Sequence, residues 1–224
     1  MTPMMAQPFT TLFFDLDDTL YPSNSGVWAV IRERITTYMI ERLGFSPAEV
    51  DETRRNYFAT HGTTLRGLMV NHPDQMTPAA IEDFLAYVHD APIGNYLQPA
   101  PALRELLLSL PQPRWILTNA DDAHAGRVME ALGVTGCFQG VIDIKALGFA
   151  CKPTPEAYQK ALALTGNPPP ERCVFFDDSR RNLAAARSLG FFTVWVGSAE
   201  SDPAACLSVA SLEELPQAMP ELWR

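Results

Sequence analysis

The chain has 224 residues, of which 47% are hydrophobic and 19% charged, so it is long and apolar enough to form a full hydrophobic core. Its net charge of -9 argues against a broad surface for nucleic-acid polymers or anionic membranes, which would need clustered lysine and arginine. The opening residues show no basic segment followed by an apolar stretch, and no apolar run could span a bilayer, so we expect a cytoplasmic protein with no membrane partner.

Short apolar runs that alternate with amphipathic segments predict an α/β fold. The predicted strands are residues 10–14, 115–118, 140–142, 173–176 and 192–196. The predicted helices between them are residues 102–110, 123–132, 155–164 and 182–189. This alternation predicts a doubly wound parallel sheet with helices on both faces and right-handed crossovers.

Residues 21–96 interrupt this alternation, because they show helical periodicity and no strand pattern. Ser46 followed by Pro47, and Thr77 followed by Pro78, each predict the start of a helix. We therefore predict a core domain of residues 1–20 and 97–224 and an inserted all-α cap domain of residues 21–96. Since the insertion follows the first strand directly, it should lie over the carboxyl edge of the sheet and act as a lid.

Carboxylates follow two of the predicted strands. Asp15 and Asp17 come after the first, and Asp177 and Asp178 come after the fourth. If both strands belong to one parallel sheet, these groups converge at one edge and repel one another unless a cation lies among them. A site made only of oxygen ligands favours magnesium.

Each acidic or polar motif also has a structural interpretation. The segment from Asp15 to Thr19 could cap a helix or form a turn, and Asp177 with its two following residues could do the same. Thr118 and Asn119 could be turn residues, and Lys152 could be an ordinary surface lysine. Their common order, each at the end of a predicted strand or just before a helix, favours a shared functional site.

Four segments resemble, in order, the motifs of the haloacid dehalogenase superfamily: Asp15-Leu16-Asp17-Asp18-Thr19, Leu117-Thr118-Asn119, Lys152-Pro153 and Asp177-Asp178-Ser179. This resemblance implies a Rossmann-like core with a helical cap. It implies that Asp15 is a nucleophile that forms an aspartyl-phosphate, and that Asp17 is the general acid and then the general base. Thr118, Asn119 and Lys152 would bind the phosphate, with Thr118 and Lys152 also catalytic.

The same resemblance implies a Mg2+ cofactor. The metal ligands that it implies are Asp15, Asp17 through its main-chain carbonyl, Asp178 and, in support, Asp177. Superfamily members that dehalogenate organic acids lack the second aspartate, so Asp17 favours hydrolysis of a phosphoester.

A finer resemblance, to the pyrimidine 5'-nucleotidase branch, is carried by residues 18–22 and 57–68 and by Thr118-Asn119-Ala120 followed by His124. It implies that the partner is a small phosphate ester, a pyrimidine nucleoside 5'-monophosphate; the net charge already argues against a nucleic-acid polymer. The candidate substrate-specificity residues in the predicted cap are Tyr57, His61, Thr63, Thr64 and Arg66. Tyr57 could instead be a packing residue, Arg66 a surface or ion-pair residue, and His124 a capping or packing residue near a helix start.

Two other functions stay open from the sequence. The chain could be a phosphatase or phosphomutase for another small metabolite such as a sugar phosphate, since Arg66 could bind a second phosphate. It could also be a binding module that has lost turnover, although the complete set of motif residues argues against this. The sequence leaves the oligomeric state open.

Overall fold

The computed structural model describes residues 9–223. Residues 1–8 and 224 belong to the predicted core domain but lie outside the described part. The opening residues, in which the sequence predicts no leader, are among them. Within residues 9–223 the sheet has six strands: β1 (Thr11–Phe14), β2 (Arg114–Leu117), β3 (Gly140–Ile142), β4 (Cys173–Asp177), β5 (Phe192–Val196) and β6 (Leu207–Val209). Their order is β3-β2-β1-β4-β5-β6, and all neighbouring strands are parallel.

The strand β1 lies at the centre of the sheet, where Phe14 is in register with Ile116 of β2 and Phe176 of β4. Every residue of β1 is buried, because alternate side chains enter hydrophobic clusters on opposite faces of the sheet. Leu12 belongs to one cluster and Phe13 to the other. A strand buried on both faces reads as a continuous apolar run, which is why the sequence predicted it.

Helices cover both faces of the sheet. They are α5 (Pro101–Ser109), α6 (Asp122–Leu132), α7 (Pro155–Leu164), α8 (Arg180–Ser188) and the short α9 (Leu215–Ala218). Buried residues of α5, α6 and α9 belong to the cluster on one face, and those of α7 and α8 to the cluster on the other. The predicted fold class, a doubly wound parallel sheet with an all-helical insertion, is confirmed.

Between β1 and β2 the chain forms a helical insertion, by which we mean helices α1 (Val27–Glu41), α2 (Val50–His61), α3 (Thr64–Asn71) and α4 (Pro78–His89). The predicted start at Thr77 is confirmed, since its hydroxyl accepts the N–H of Ala80. The Ser46 hydroxyl accepts the N–H of Ala48 at 3.3 Å, as the predicted cap would, but α2 does not start there. The Ser46 carbonyl instead closes a turn by accepting the N–H groups of Glu49 and Val50, and α2 begins at Val50. The bounds of the predicted domains stay predictions.

Two elements were missed, β6 (Leu207–Val209) and α9 (Leu215–Ala218). Both are too short to show a periodic pattern. In the described part of the chain, no helix combines the length and the apolar character needed to cross a membrane.

Two glycines inside helices provide a matched test of packing. A Cβ added to Gly67 in α3 would lie 2.3 Å from the Cβ of Tyr57, so Gly67→Ala should lower the free energy of unfolding by about 1–3 kcal/mol. Gly126 in α6 is exposed and has no atom within 4 Å of an added Cβ, so Gly126→Ala should raise it by up to about 1 kcal/mol. Urea unfolding followed by circular dichroism measures both. Equal effects would contradict the close approach of α2 and α3.

Candidate active site

The main chain after β1 places Asp15 beside the end of β4. The Asp15 N–H donates to the carbonyl of Phe176 at 2.8 Å, which continues the ladder between the two strands. Asp18 has a φ of 61°, and the N–H of Leu20 donates to the carbonyl of Leu16 at 3.0 Å, so the chain turns sharply after Asp17. The two acidic segments predicted from the sequence therefore meet at one edge of the sheet.

Lys152 lies between these segments with only 1% of its surface exposed. Its Nζ is 2.7 Å from Oδ1 of Asp15 and 2.9 Å from Oδ2 of Asp177. The alternative that Lys152 is a surface lysine is therefore wrong. The Asn119 side chain holds the loop, because Oδ1 accepts the Lys152 N–H at 2.8 Å and Nδ2 donates to the Lys152 carbonyl at 3.0 Å.

The charges at this edge are not balanced by Lys152 alone. Burial, together with the negative charges of Asp177 and Asp178, raises the pKa of Asp15 well above its usual value, against the opposing effect of Lys152. Burial, followed by repulsion from Asp177 and Asp18, raises the pKa of Asp178 to about 7. Although burial works to lower the pKa of Lys152, attraction to Asp15 and Asp177 raises it. The site therefore favours an additional cation.

Asp15, Asp177 and Asp178 form a group that could hold a metal ion, because each has a carboxylate oxygen within 4.8 Å of the others. Asp177 is already held by the protein. Its Oδ1 accepts the Ser179 N–H at 2.8 Å and Nδ2 of Asn182 at 3.0 Å, while Oδ2 accepts from Lys152. Asp15 and Asp178 are the carboxylates of this group that are freer to bind a cation.

The Asp17 carboxylate lies apart from that group. Its Oδ1 accepts the hydroxyl of Tyr21 at 2.6 Å and is 2.8 Å from Nε2 of His124. Burial works to raise the pKa of Asp17, but the interactions with His124 and Tyr21 outweigh it and bring that pKa below its usual value. The predicted metal contact of Asp17 involves its main-chain carbonyl and stays a prediction.

Thr118 follows β2 at the same edge of the sheet and is 1% exposed. Its N–H donates to the carbonyl of Ile142 at 3.1 Å, and its Oγ1 accepts the N–H of Ala120 at 3.0 Å. The hydroxyl proton is thus available to donate to an anion. The Asn119 side chain is engaged with the main chain of Lys152 through Oδ1 and one N–H of Nδ2, and its predicted contact with phosphate stays a prediction.

A cavity of about 470 Å³ separates the sheet edge from the helical insertion. The sheet side of its lining includes Asp15, Asp17, Asp18, Thr118, Asn119, Lys152 and Asp178. The insertion contributes an apolar wall of Trp28, Ile31, Ile35, Leu65, Phe84, Leu85 and Val88. Polar residues from the insertion and α8 are Arg32, Arg54, Arg55, Thr63, Thr64, His89, Arg181 and Asn182. The cavity thus has a charged floor and a largely apolar opposite wall.

The predicted specificity residues divide into two groups. Thr63 and Thr64 line the cavity, whereas Tyr57, His61 and Arg66 do not. The Tyr57 hydroxyl lies 2.8 Å from Nε2 of His72, consistent with the packing alternative. The structure adds lining residues that the sequence analysis did not select: Trp28, Arg32, Arg54, Arg55, Phe58 and Arg181. The helical spacing of Trp28, Ile31, Arg32 and Ile35 was an available signal for a common face.

Side chains outside the helical insertion bind the carboxyl ends of its helices. Arg181 donates to the carbonyls of Phe58 at 3.3 Å and Ala59 at 3.1 Å, and Cys151 Sγ donates to the His61 carbonyl at 3.1 Å. Arg127 donates to the His89 carbonyl at the end of α4 at 2.9 Å. These donors bind carbonyls in the last turns of α2 and α4, where those of Phe58 and His89 also accept a main-chain N–H, and they attach the insertion over the cavity.

Comparison with known proteins gives a family and several relatives. The family model described as a haloacid dehalogenase-like hydrolase matches residues 9–190. Phosphate metabolism protein 8 of Saccharomyces cerevisiae is 29% identical over 194 residues, 80% of this chain but only 58% of that protein's length. Pyrophosphatase PpaX of Listeria monocytogenes is 29% identical over 206 residues, 89% of this chain and 88% of that protein.

Among solved structures, a hydrolase from Pseudomonas syringae has a TM-score of 0.65 and 19% identity, and the match covers 95% of this chain and 98% of that one. At this identity the likeness supports the fold alone.

Replacing Lys152 with Met tests the buried charge cluster. Because Asp15 and Asp177 would stay buried without a cation, Lys152→Met should lower the free energy of unfolding by about 3–5 kcal/mol. The matched control is Lys145→Met, which removes a half-exposed partner of Glu82 and should cost less than about 1 kcal/mol. Urea unfolding in the presence of a chelator compares the two variants. Similar small losses would show that Lys152 does not neutralise the cluster.

Proposed function

Because this chain belongs to the haloacid dehalogenase-like hydrolase family, we propose that it is a magnesium-dependent phosphomonoesterase that works through an aspartyl-phosphate on Asp15. The observation that carries this proposal is the contact of Lys152 with both Asp15 and Asp177 on the floor of the cavity. A carboxylate nucleophile beside a buried ammonium can approach a phosphate anion with less repulsion. The names of the yeast and Listeria relatives, a phosphate metabolism protein and a pyrophosphatase, agree with phosphate chemistry.

The residues present fit a magnesium ion. Asp15, Asp177 and Asp178 each have a carboxylate oxygen within 4.8 Å of the others. The raised pKa of Asp178 reflects, beside its burial, negative charge that a cation would offset. Asp15 and Asp178 would hold the ion, while Asp177 supports the site through Lys152 and Asn182. When bound, magnesium supplies positive charge that offsets the charge of the phosphoryl oxygens.

The side chains on the cavity floor then have distinct roles. The Asp15 carboxylate attacks phosphorus, and the bond to the leaving oxygen breaks as the new bond forms. Thr118 donates its hydroxyl proton to a phosphoryl oxygen, and Lys152 offsets the charge that collects there. Asp17 protonates the leaving oxygen and later takes a proton from the water that hydrolyses the aspartyl-phosphate. A second aspartate of this kind favours phosphoester hydrolysis over dehalogenation.

For the substrate, we propose a pyrimidine nucleoside 5'-monophosphate. The cavity volume of about 470 Å³ lies in the range that accommodates small molecules of this size. Its apolar wall, which includes Trp28, suits a flat base, while Arg32, Arg54 and the hydroxyls of Thr63 and Thr64 can donate to or accept from polar groups. We also propose a cytoplasmic location, for which the support comes from the sequence alone.

A second candidate is a phosphatase or phosphomutase for another small phosphorylated metabolite, such as a sugar phosphate. The observation that favours it is the presence of Arg32 and Arg55 in the cavity lining, both exposed and without a salt bridge to any described residue. Such guanidinium groups could bind a second phosphate, as a phosphomutase requires.

The nucleophile is tested by Asp15→Asn. Phosphate release from p-nitrophenyl phosphate should require Mg2+ and fall by at least about a thousandfold in this variant, because an amide cannot form the aspartyl-phosphate. The matched control is Asp83→Asn, which changes an exposed carboxylate that accepts the Tyr38 hydroxyl and does not line the cavity, and it should keep full activity. Retained activity in Asp15→Asn, or activity unaffected by a chelator, would contradict the proposal.

The substrate class is tested by comparing kcat/KM for nucleoside monophosphates and sugar phosphates. Uridine or cytidine monophosphate should exceed adenosine monophosphate by about tenfold or more, since the larger base should fit the wall less well. Arg54→Met should raise KM for the preferred nucleotide, whereas Arg66→Met, outside the cavity lining, should not. Equal rates on all esters would remove the nucleotide assignment, and preference for a sugar phosphate would favour the second candidate.

A further inference from the structure

Two buried side chains outside the predicted catalytic set converge on one oxygen of Asp17. The hydroxyl of Tyr21 donates to Oδ1 at 2.6 Å, and Nε2 of His124 lies 2.8 Å from the same oxygen. Tyr21 is 3% exposed and His124 is fully buried. Buried hydrogen bonds to a carboxylate are among the stronger ones, so these contacts restrain the Asp17 side chain.

The environment of the His124 ring determines which of its nitrogens carries the proton. Nδ1 is buried and has no hydrogen-bond partner among residues 9–223. A proton on Nδ1 would be buried unpaired, and a bare Nε2 would then face the Asp17 carboxylate at 2.8 Å with its lone pair. We therefore assign the proton to Nε2, which makes His124 a donor to Oδ1.

The backbone and ring of His124 are held by α6 and by the helical insertion. The side chain of Asp121 caps α6 by accepting the His124 N–H at 3.1 Å. The ring of His89, from α4, stacks on the ring of His124 with centroids 4.6 Å apart, and its Nδ1 lies 2.9 Å from Oδ1 of Asp121. His124 is thus aimed at Asp17 by contacts from both sides of the cavity.

These contacts leave the two oxygens of Asp17 in different situations. Oδ1 accepts from Tyr21 and His124, whereas Oδ2 receives no hydrogen bond from any residue that the structure describes. Asp17 also lines the cavity. Oδ2 is therefore the oxygen that can exchange a proton with a ligand.

We propose that Tyr21 and His124 are positioning residues that bind Oδ1 of Asp17 and thereby present Oδ2 to the reacting oxygen. This inference rests on the proposed phosphomonoesterase function. In the first step, Asp17 has taken up a proton on Oδ2 from solvent; Asp15 forms a bond to phosphorus, the bond from phosphorus to the leaving oxygen breaks, and that oxygen takes this proton. In the second step, water gives a proton to Oδ2 while its oxygen bonds to phosphorus and the bond to Asp15 breaks. The proton on Oδ2 is thereby restored.

The experiment uses the full chain and compares leaving groups. An alkyl phosphate needs protonation of its leaving oxygen, whereas p-nitrophenyl phosphate needs little, so loss of correct Asp17 placement should affect them unequally. For Tyr21→Phe and His124→Phe, kcat/KM should fall by about tenfold to a hundredfold on the alkyl ester and by less than about threefold on the aryl ester. The quantity kcat/KM is chosen because it ends with formation of the aspartyl-phosphate.

Conservative and control variants separate positioning from general damage. His124→Gln can restore a donor to Oδ1, so it should recover much of the activity that His124→Phe loses on the alkyl ester. Tyr38→Phe removes a hydroxyl that donates to Asp83 at 2.9 Å, neither residue lines the cavity, and the change should not alter the ratio of the two substrates. In an Asp17→Asn background, Tyr21→Phe should cause no further selective loss, because the two residues act through one group.

The outcomes distinguish this inference from the proposed function. Should Tyr21→Phe, a minimal change, lower both esters equally or affect neither, the positioning role is overturned while the phosphatase stands. Should the wild-type chain hydrolyse neither ester with Mg2+, the proposed function fails, and the positioning role fails with it. Selective loss on the alkyl ester, with recovery in His124→Gln, supports both.

Discussion

The electrostatic contact between Lys152 and two buried aspartates is the interaction on which the candidate site depends. Because β1 and β4 are hydrogen-bonded neighbours, Asp15 and Asp177 must end at the same edge of the sheet, where their charges repel. Lys152 offsets part of that repulsion, and the side chain of Asn119 holds its main chain in place. Asn182 in turn holds Asp177. The residual negative charge makes the edge a place where a divalent cation and a phosphate group would each help to bind the other.

The cavity has a charged side and a largely apolar side because the two sides come from different parts of the fold. The sheet edge supplies ionisable groups, which it can hold because main-chain and side-chain donors satisfy them, while the helical insertion supplies an apolar wall. Arg181 and Arg127, both outside the insertion, bind carbonyls at the ends of α2 and α4 and so join the two sides. The stacking of His89 on His124 is a further connection between them. His89 thus takes part in both the attachment of the insertion and the placement of Asp17, because its carbonyl accepts from Arg127 and its ring packs on His124, which contacts Asp17.

Much of the core could be predicted because its physics is local. An apolar run such as Phe13 and Phe14 followed by Asp15 indicates a buried strand that ends at a polar edge, and this needs no knowledge of distant residues. The cavity wall of the insertion could not be predicted so well. Helical periodicity identifies a buried face, as for Tyr57, but it does not say whether that face meets another helix or a ligand. Thr63 and Arg66 are close in sequence, yet only Thr63 lines the cavity.

The sequence by itself determined the alternation of strands and helices, the all-helical insertion and the acidic segments at the strand ends, since these follow from short-range patterns of apolar and charged residues. Only the tertiary structure decided which groups surround each carboxylate. His124 lies 107 positions from Asp17 in the chain, and the surface alternative for Lys152 was rejected only by its burial. Such contacts depend on how whole elements pack, because a side chain's partners are set by the relative placement of helices and strands and not by its neighbours in sequence.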